Sequence, residues 1–155
     1  MKKIGLSLIL AASLISCDSD SDETANYFDY NDNYWSLVAY GWTLDTMAQL
    51  IPETRYEISF SKQVSEVTGT IDCNHFQSSY SSSENNLSIE YIAPTEMLCS
   101  YAINASAEDL QKYKGQNAFI ILALSTIHHS EIENEKFTIY SVGGEILSYK
   151  FIDVD

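Results

Sequence analysis

Basic residues are scarce in this chain: eight Lys and Arg stand against 22 Asp and Glu in 155 residues. Binding to a phosphate backbone needs clustered cations that release counterions, so this balance excludes nucleic acid as a main partner. It also argues against docking of the domain itself on an anionic lipid surface. Only two prolines and six glycines occur, so the chain is no low-complexity polymer. There is no glycine-rich phosphate loop and no G-x-S-x-G elbow. Cysteines number three and none forms a C-x-x-C pair, so a thioredoxin-like reading has nothing to rest on. No internal repeat is visible. No apolar run reaches the roughly 20 residues that span a bilayer. Carboxylates are abundant, but no pair carries the apolar surroundings that mark a glycosidase acid.

What is present begins at the first residues. Lys2 and Lys3 make a short positive start, and residues 4–16 follow without a charge. A basic start, a short apolar run and small residues at its end describe a secretory signal, here residues 1–16. Residues 14–17, "LISC", resemble the bacterial lipobox, with Leu three places before the cut, a small residue before it and Cys17 after it. That resemblance implies lipidation of Cys17, which becomes the new N-terminus. It implies three acyl chains, and two or more make a stable membrane anchor. Two addresses stay open: Asp18 fits inner-membrane retention, and the acidic, Ser-rich "SDSDE" fits export to the surface. Removal of residues 1–16 leaves six basic residues against 22 acidic ones, a formal charge of −16. Residues 17–33 read as an acidic tether and residues 34–155 as one folded domain.

The domain reads as α+β: an antiparallel sheet with one helix inserted before the last three strands. "YWSLVAY" and "TRYEISFS" alternate apolar and polar residues with period two, as half-buried strands do. "EVTGTIDCNHF" continues the alternation and sets Cys73 on the face of Val67 and Ile71, taken as the core face. His75 would share that face. Gly69 inside a strand suggests a bulge or close packing. "SSYSSSENN" reads as a polar loop and "LSIEYIAP" as a strand ended by Pro94. Ser106 to Asp109, "SAED", resembles an N-terminal capping box. Helical spacing of Phe119, Leu122 and Ala123 favours a helix after it, with a break at Gly115. The apolar run 118–124 suits a buried strand equally, so residues 116–126 are open between the two. Strands near 128–132, 136–141 and 145–152 follow, joined by "EN" and "GG" turns.

Taken together, "CNHF" at residues 73–76, Tyr80 and "TEMLC" at residues 95–99 are similar to the motifs of the META domain, the family of HslJ-like heat-shock envelope lipoproteins. Trp35, Leu37, Phe60 and Gly69 precede them in the family's order, and "FTIYSVGGEILSYKF" matches its closing hairpin. The likeness covers residues 35–152. It implies an envelope protein linked to stress, drug resistance or motility, and it brings no catalytic residues. His75, Gln77 and Glu96 depart from the family's usual basic, Gly and Arg residues, which changes the charge of one face.

With Cys17 lipidated, Cys73 and Cys99 remain. An even pair in an oxidising compartment reads as a disulfide, which the resemblance supports by placing the two motifs together. Two buried free thiols are the alternative, and metal or redox chemistry the remainder. Asp72 and the negative charge raise a thiol pKa, which opposes a nucleophilic role. His75 is expected to be structural or exposed. His128 and His129 are adjacent and point to opposite strand faces, so they cannot share one metal. Glu131 and Glu133 could join His129 on one side, although a solvated strand face is the plainer reading.

The expected function is that of a membrane-anchored, non-enzymatic envelope lipoprotein, acting through protein contacts or stress protection. The partner expected is the membrane, through the lipid at Cys17; no cofactor and no metal are expected. A lipoprotein that binds a small ligand or peptide is the alternative, with Tyr side chains lining a pocket. Catalysis would need a cleft bearing a strongly perturbed ionisable group.

Overall fold

In the computed structural model, residues 33–83, 86–103 and 105–153 are described. The signal at 1–16, Cys17 and the tether up to residue 32 lie outside the described residues. Strand β1 (Tyr34–Gly41) buries Trp35, Leu37, Ala39 and Gly41 on one side, the alternation its sequence carries. The chain then makes a 3-10 turn at Leu44–Thr46 and the short strand β2 (Ala48–Gln49), which pairs with β1. Strand β3 (Tyr56–Ser61) buries Tyr56, Ile58 and Phe60. Strand β4 (Glu66–Ile71) pairs with β3 and buries Val67 and Ile71.

Here the structure departs from the sequence reading. The strand does not run on through Cys73. Ile71 pairs with Asn74, so Asp72 and Cys73 form a two-residue turn. Asp72 takes a φ of 63°, a left-handed conformation that Asp tolerates better than most residues. Strand β5 (Asn74–Ser83) then occupies most of the segment read as a polar loop. Ser79, Ser81 and Ser83 line its solvent face, while Phe76 and Tyr80 at period-two related positions on the other face are buried. Strand β6 (Asn86–Ile89) buries Leu87 and Ile89 against β5.

The open segment is a helix. Helix α1 (Ala107–Ser125) starts at Ser106, whose Oγ accepts the backbone N–H of Asp109 at 3.1 Å. The capping box is thus formed. Gly115 does not break the helix; nothing surrounds the place where its Cβ would stand. The buried face carries Gln116, Ile120, Ala123 and Leu124, whereas Leu122 is exposed. Long-range packing decided between helix and strand: α1 lies against β4, β6 and two of the strands that follow it. Strand β7 (Ile127–Glu133), β8 (Lys136–Ser141) and β9 (Ile146–Ile152) close the chain. Asn134 and Glu135 both have positive φ in the β7–β8 turn, as a tight hairpin requires.

All strand pairs are antiparallel, in the order β6-β5-β4-β3-β1-β9-β8-β7. The ends β6 and β7 lie close together, with no ladder between them among the described residues. The result is a nearly closed, barrel-like sheet. Its core holds Trp35 against Phe137 at 5.2 Å and Phe60 against Tyr80 at 5.1 Å between ring centroids. Gly69 is explained by the same core. A Cβ there would meet Phe76 Cε1 at 2.6 Å and the Glu57 carbonyl oxygen closer still.

Candidate functional site: a stapled strap, a cleft and a groove

The two cysteine motifs meet in space. Cys73 and Cys99 form a disulfide with an S–S distance of 2.00 Å and Cα atoms 5.6 Å apart. The Cα separation lies within the ordinary range for such bonds. Cys73 is not on the core strand face; it is half-buried in the β4–β5 turn, while Cys99 is the buried member. The next residue, Asn74, holds the incoming segment. Its Oδ1 accepts from Met97 N at 2.6 Å and from Thr95 Oγ1 at 3.2 Å, and its Nδ2 donates to Met97 O at 3.3 Å. The His75 backbone adds two more bonds: Thr95 N donates to its carbonyl at 2.9 Å, and its own N–H donates to Thr95 Oγ1 at 3.1 Å. Residues 95–99 are thus a strap clamped along the start of β5. Cys-Asn supplies the clamp, and Thr-x-Met-x-Cys supplies the groups it grips.

Below the staple lies a polar cleft of about 330 Å³, whose walls include Glu53, Arg55, Asp72, His75 and both cysteines. Asp72 is 7% exposed. Burial lifts its carboxyl from the ordinary 3.8 to about 6, against a hydrogen bond from the Asn117 side chain that pulls the other way. Its Oδ2 stands 3.1 Å from Cys99 Sγ. A disulfide sulfur has no proton to give, so the only donor across this contact is the carboxyl in its protonated form. Behind Asp72, α1 and β3 share a buried polar network. Tyr56 donates its O–H to Asn117 Oδ1, and Gln116 Nε2 donates to the Tyr56 oxygen at 2.8 Å and to Thr54 Oγ1 at 3.2 Å. Gln116 Oε1 accepts from Ile51 N at 3.0 Å. Burial pushes the Tyr56 phenol well above its ordinary value.

On the outer face of β3, β4 and β5 runs an open groove of about 600 Å³. Tyr34, Glu57, Thr68, His75 and Gln77 line it, and the strap's Thr95 forms one wall. His75 is exposed and borders both the groove and the cleft. Nothing in the sequence marks this face, because Ser, Thr and Gln on a strand read only as solvated. Nor did it point to Asp72 and Asn117 as neighbours; one lies in a turn and the other on a distant helix.

The remaining candidates separate. His128 Nδ1 lies 3.0 Å from Tyr140 O, in a stretch where the β7–β8 register shifts. His129 Nε2 lies 2.9 Å from Glu131 Oε1, and Tyr140 O–H donates to the other oxygen at 3.2 Å. The bond from His129 holds the Glu131 carboxyl below its usual range. Glu133 is not part of that group. Among the described residues, no cluster of three or more His, Cys, Asp or Glu is placed to hold a metal ion.

Two solved structures share the fold. One is an NMR structure of a protein from Burkholderia xenovorans, 18% identical, with a TM-score of 0.57 over 81% of this chain and 85% of that one. The other is a crystal structure of a DUF4847 family protein from Bacteroides vulgatus, 12% identical, with a TM-score of 0.55 over 81% of this chain and 96% of that one. At these identities the likeness is one of fold alone. No curated protein matches the chain. The META domain model matches residues 31–150, the span that carries the sheet, the helix and the stapled strap, and the chain belongs to the META domain family.

Proposed function

We propose that this protein is a lipid-anchored lipoprotein of the bacterial cell envelope, whose META domain works by binding rather than by catalysis, in stress protection or protein contact. The observation that carries the reading is the Cys73–Cys99 bond joining the two family motifs. Such bonds persist in oxidising compartments outside the cytosol. It supports the address that the apolar start and "LISC" suggest on other grounds. The acidic run after Cys17 then serves as the spacer between lipid and domain. The test is metabolic labelling with a fatty-acid probe, followed by membrane fractionation. Wild-type protein is expected to label and to sediment with membranes, and Cys17→Ala to do neither. Labelling and sedimentation that survive the substitution refute the anchor.

A second reading, a lipoprotein that binds a small ligand or peptide, is favoured by the groove beside Tyr34 and His75. Its volume lies in the range of small-molecule sites. Ligand screening by thermal shift, with Tyr34→Ala and Gln77→Ala as controls, tests it. A hit that both variants bind as well as wild type places the ligand elsewhere.

A further inference from the structure

The cleft gives one function to Asp72 that neither a staple nor a binding groove requires. Three features converge there. The disulfide lines an open cleft, so a thiol can reach it. Its two cysteines differ in exposure: Cys73 is half-buried at the turn and Cys99 is 7% exposed. The carboxyl of Asp72 stands against the Cys99 sulfur at 3.1 Å. We propose that the Cys73–Cys99 bond is a thiol–disulfide exchange site in which Asp72 is the acid that protonates the departing Cys99 sulfur.

A thiolate from an external thiol attacks Cys73 Sγ, and a new S–S bond forms between them as the Cys73–Cys99 bond breaks. The electron pair goes to Cys99 Sγ, and the Asp72 carboxyl gives that sulfur its proton and becomes a carboxylate. Exchange rates depend on how well the leaving sulfur carries charge. An ionised Asp72 at 3.1 Å opposes a departing thiolate by like-charge repulsion, so the bond resists exchange. A protonated Asp72 removes the repulsion and supplies the proton. A carboxyl held near 6 is protonated in mildly acidic surroundings and is still a stronger acid than a thiol, so the transfer runs downhill. The substrate class is a thiol small enough to enter a polar cleft of about 330 Å³. The reading does not depend on the lipid anchor.

Other titratable groups share the cleft or lie beside it. Glu53 and Arg55 line it from the segment before β3 and His75 from β5, Tyr56 of β3 lies behind Asp72, and α1 offers the neutral Asn117. The test separates them. The purified full chain is treated with a low-pKa monothiol, trifluoroethanethiol, across pH 4.5 to 8, and the exchange rate is divided by thiolate concentration. The wild-type rate per thiolate is expected to fall as pH rises through about 6, by about tenfold or more, within the usual reach of a general acid. Asp72→Asn is expected to flatten that profile. Asn suits the left-handed position, and circular dichroism checks its fold. Glu53→Gln and His75→Gln are expected to keep the inflection. Peptide mass spectrometry of the trapped adduct is expected to find the thiol on Cys73. A flat wild-type profile, an inflection that persists in Asp72→Asn or vanishes in either other variant, or an adduct on Cys99 overturns the proposal.

Discussion

Replacing Asp72 by Asn should make the domain more stable at pH 7.5 and leave it nearly unchanged at pH 4. Asp72 is 7% exposed, and its carboxyl is raised from 3.8 to about 6 by burial. The native state therefore keeps a proton that the unfolded chain releases. Stability from this group is highest at low pH, falls as pH rises between about 4 and 6, and stays at its lower level above that. Tenfold in a protonation equilibrium is about 1.4 kcal/mol, so the shift has a ceiling of roughly 3 kcal/mol. Water on the open side of the cleft screens part of this, which leaves about 1 to 2 kcal/mol. An amide at position 72 carries no charge to bury. It keeps an oxygen for the Asn117 side chain and tolerates the φ of 63°. The assay is urea unfolding with the disulfide intact, at pH 4 and pH 7.5. The expected result is a gain of about 1 to 2 kcal/mol at pH 7.5 that shrinks to a few tenths at pH 4. Equal midpoints at pH 7.5, or a gain of the same size at both pH values, would falsify the burial argument.

Reduction of the Cys73–Cys99 bond, which closes a sequence separation of 26, should lower unfolding free energy by about 3.5 kcal/mol on the chain-entropy model. Urea titration with and without reductant reads this, and Cys73→Ala/Cys99→Ala should be insensitive to reductant. Gly69→Ala should destabilise by about 1 to 3 kcal/mol, because its Cβ presses on Phe76 and on the β3 backbone; an unchanged melting temperature would refute the close approach. Tyr149→Phe should be neutral or stabilising by about 1 kcal/mol, because the buried hydroxyl has no hydrogen-bond partner among the described residues. A clear loss of stability on calorimetry would reveal a partner for that oxygen.

The sequence by itself determined the parts governed by local periodicity and by pairing of motifs. Alternation in residues 34–41 and 56–61 marks which side chains face the core, because successive strand residues point to opposite faces. Ser106 and Asp109 mark the helix start because a cap is satisfied within four residues. Cys73 and Cys99 were legible as a pair, and the META motifs were legible in order. Tertiary structure decided the rest. Serines in β5 look like a loop until Phe76 and Tyr80 find the core. Residues 116–126 suit helix or strand until packing chooses a helix that runs to Ser125. Cys73 left the strand face because Asp72 accepts a left-handed turn, and alternation is blind to where a strand reverses. That turn sets Asp72 beside Cys99 and Asn117, residues far apart along the chain. A carboxyl's proton affinity depends on what surrounds it in three dimensions, so no local reading of "DCN" could supply it.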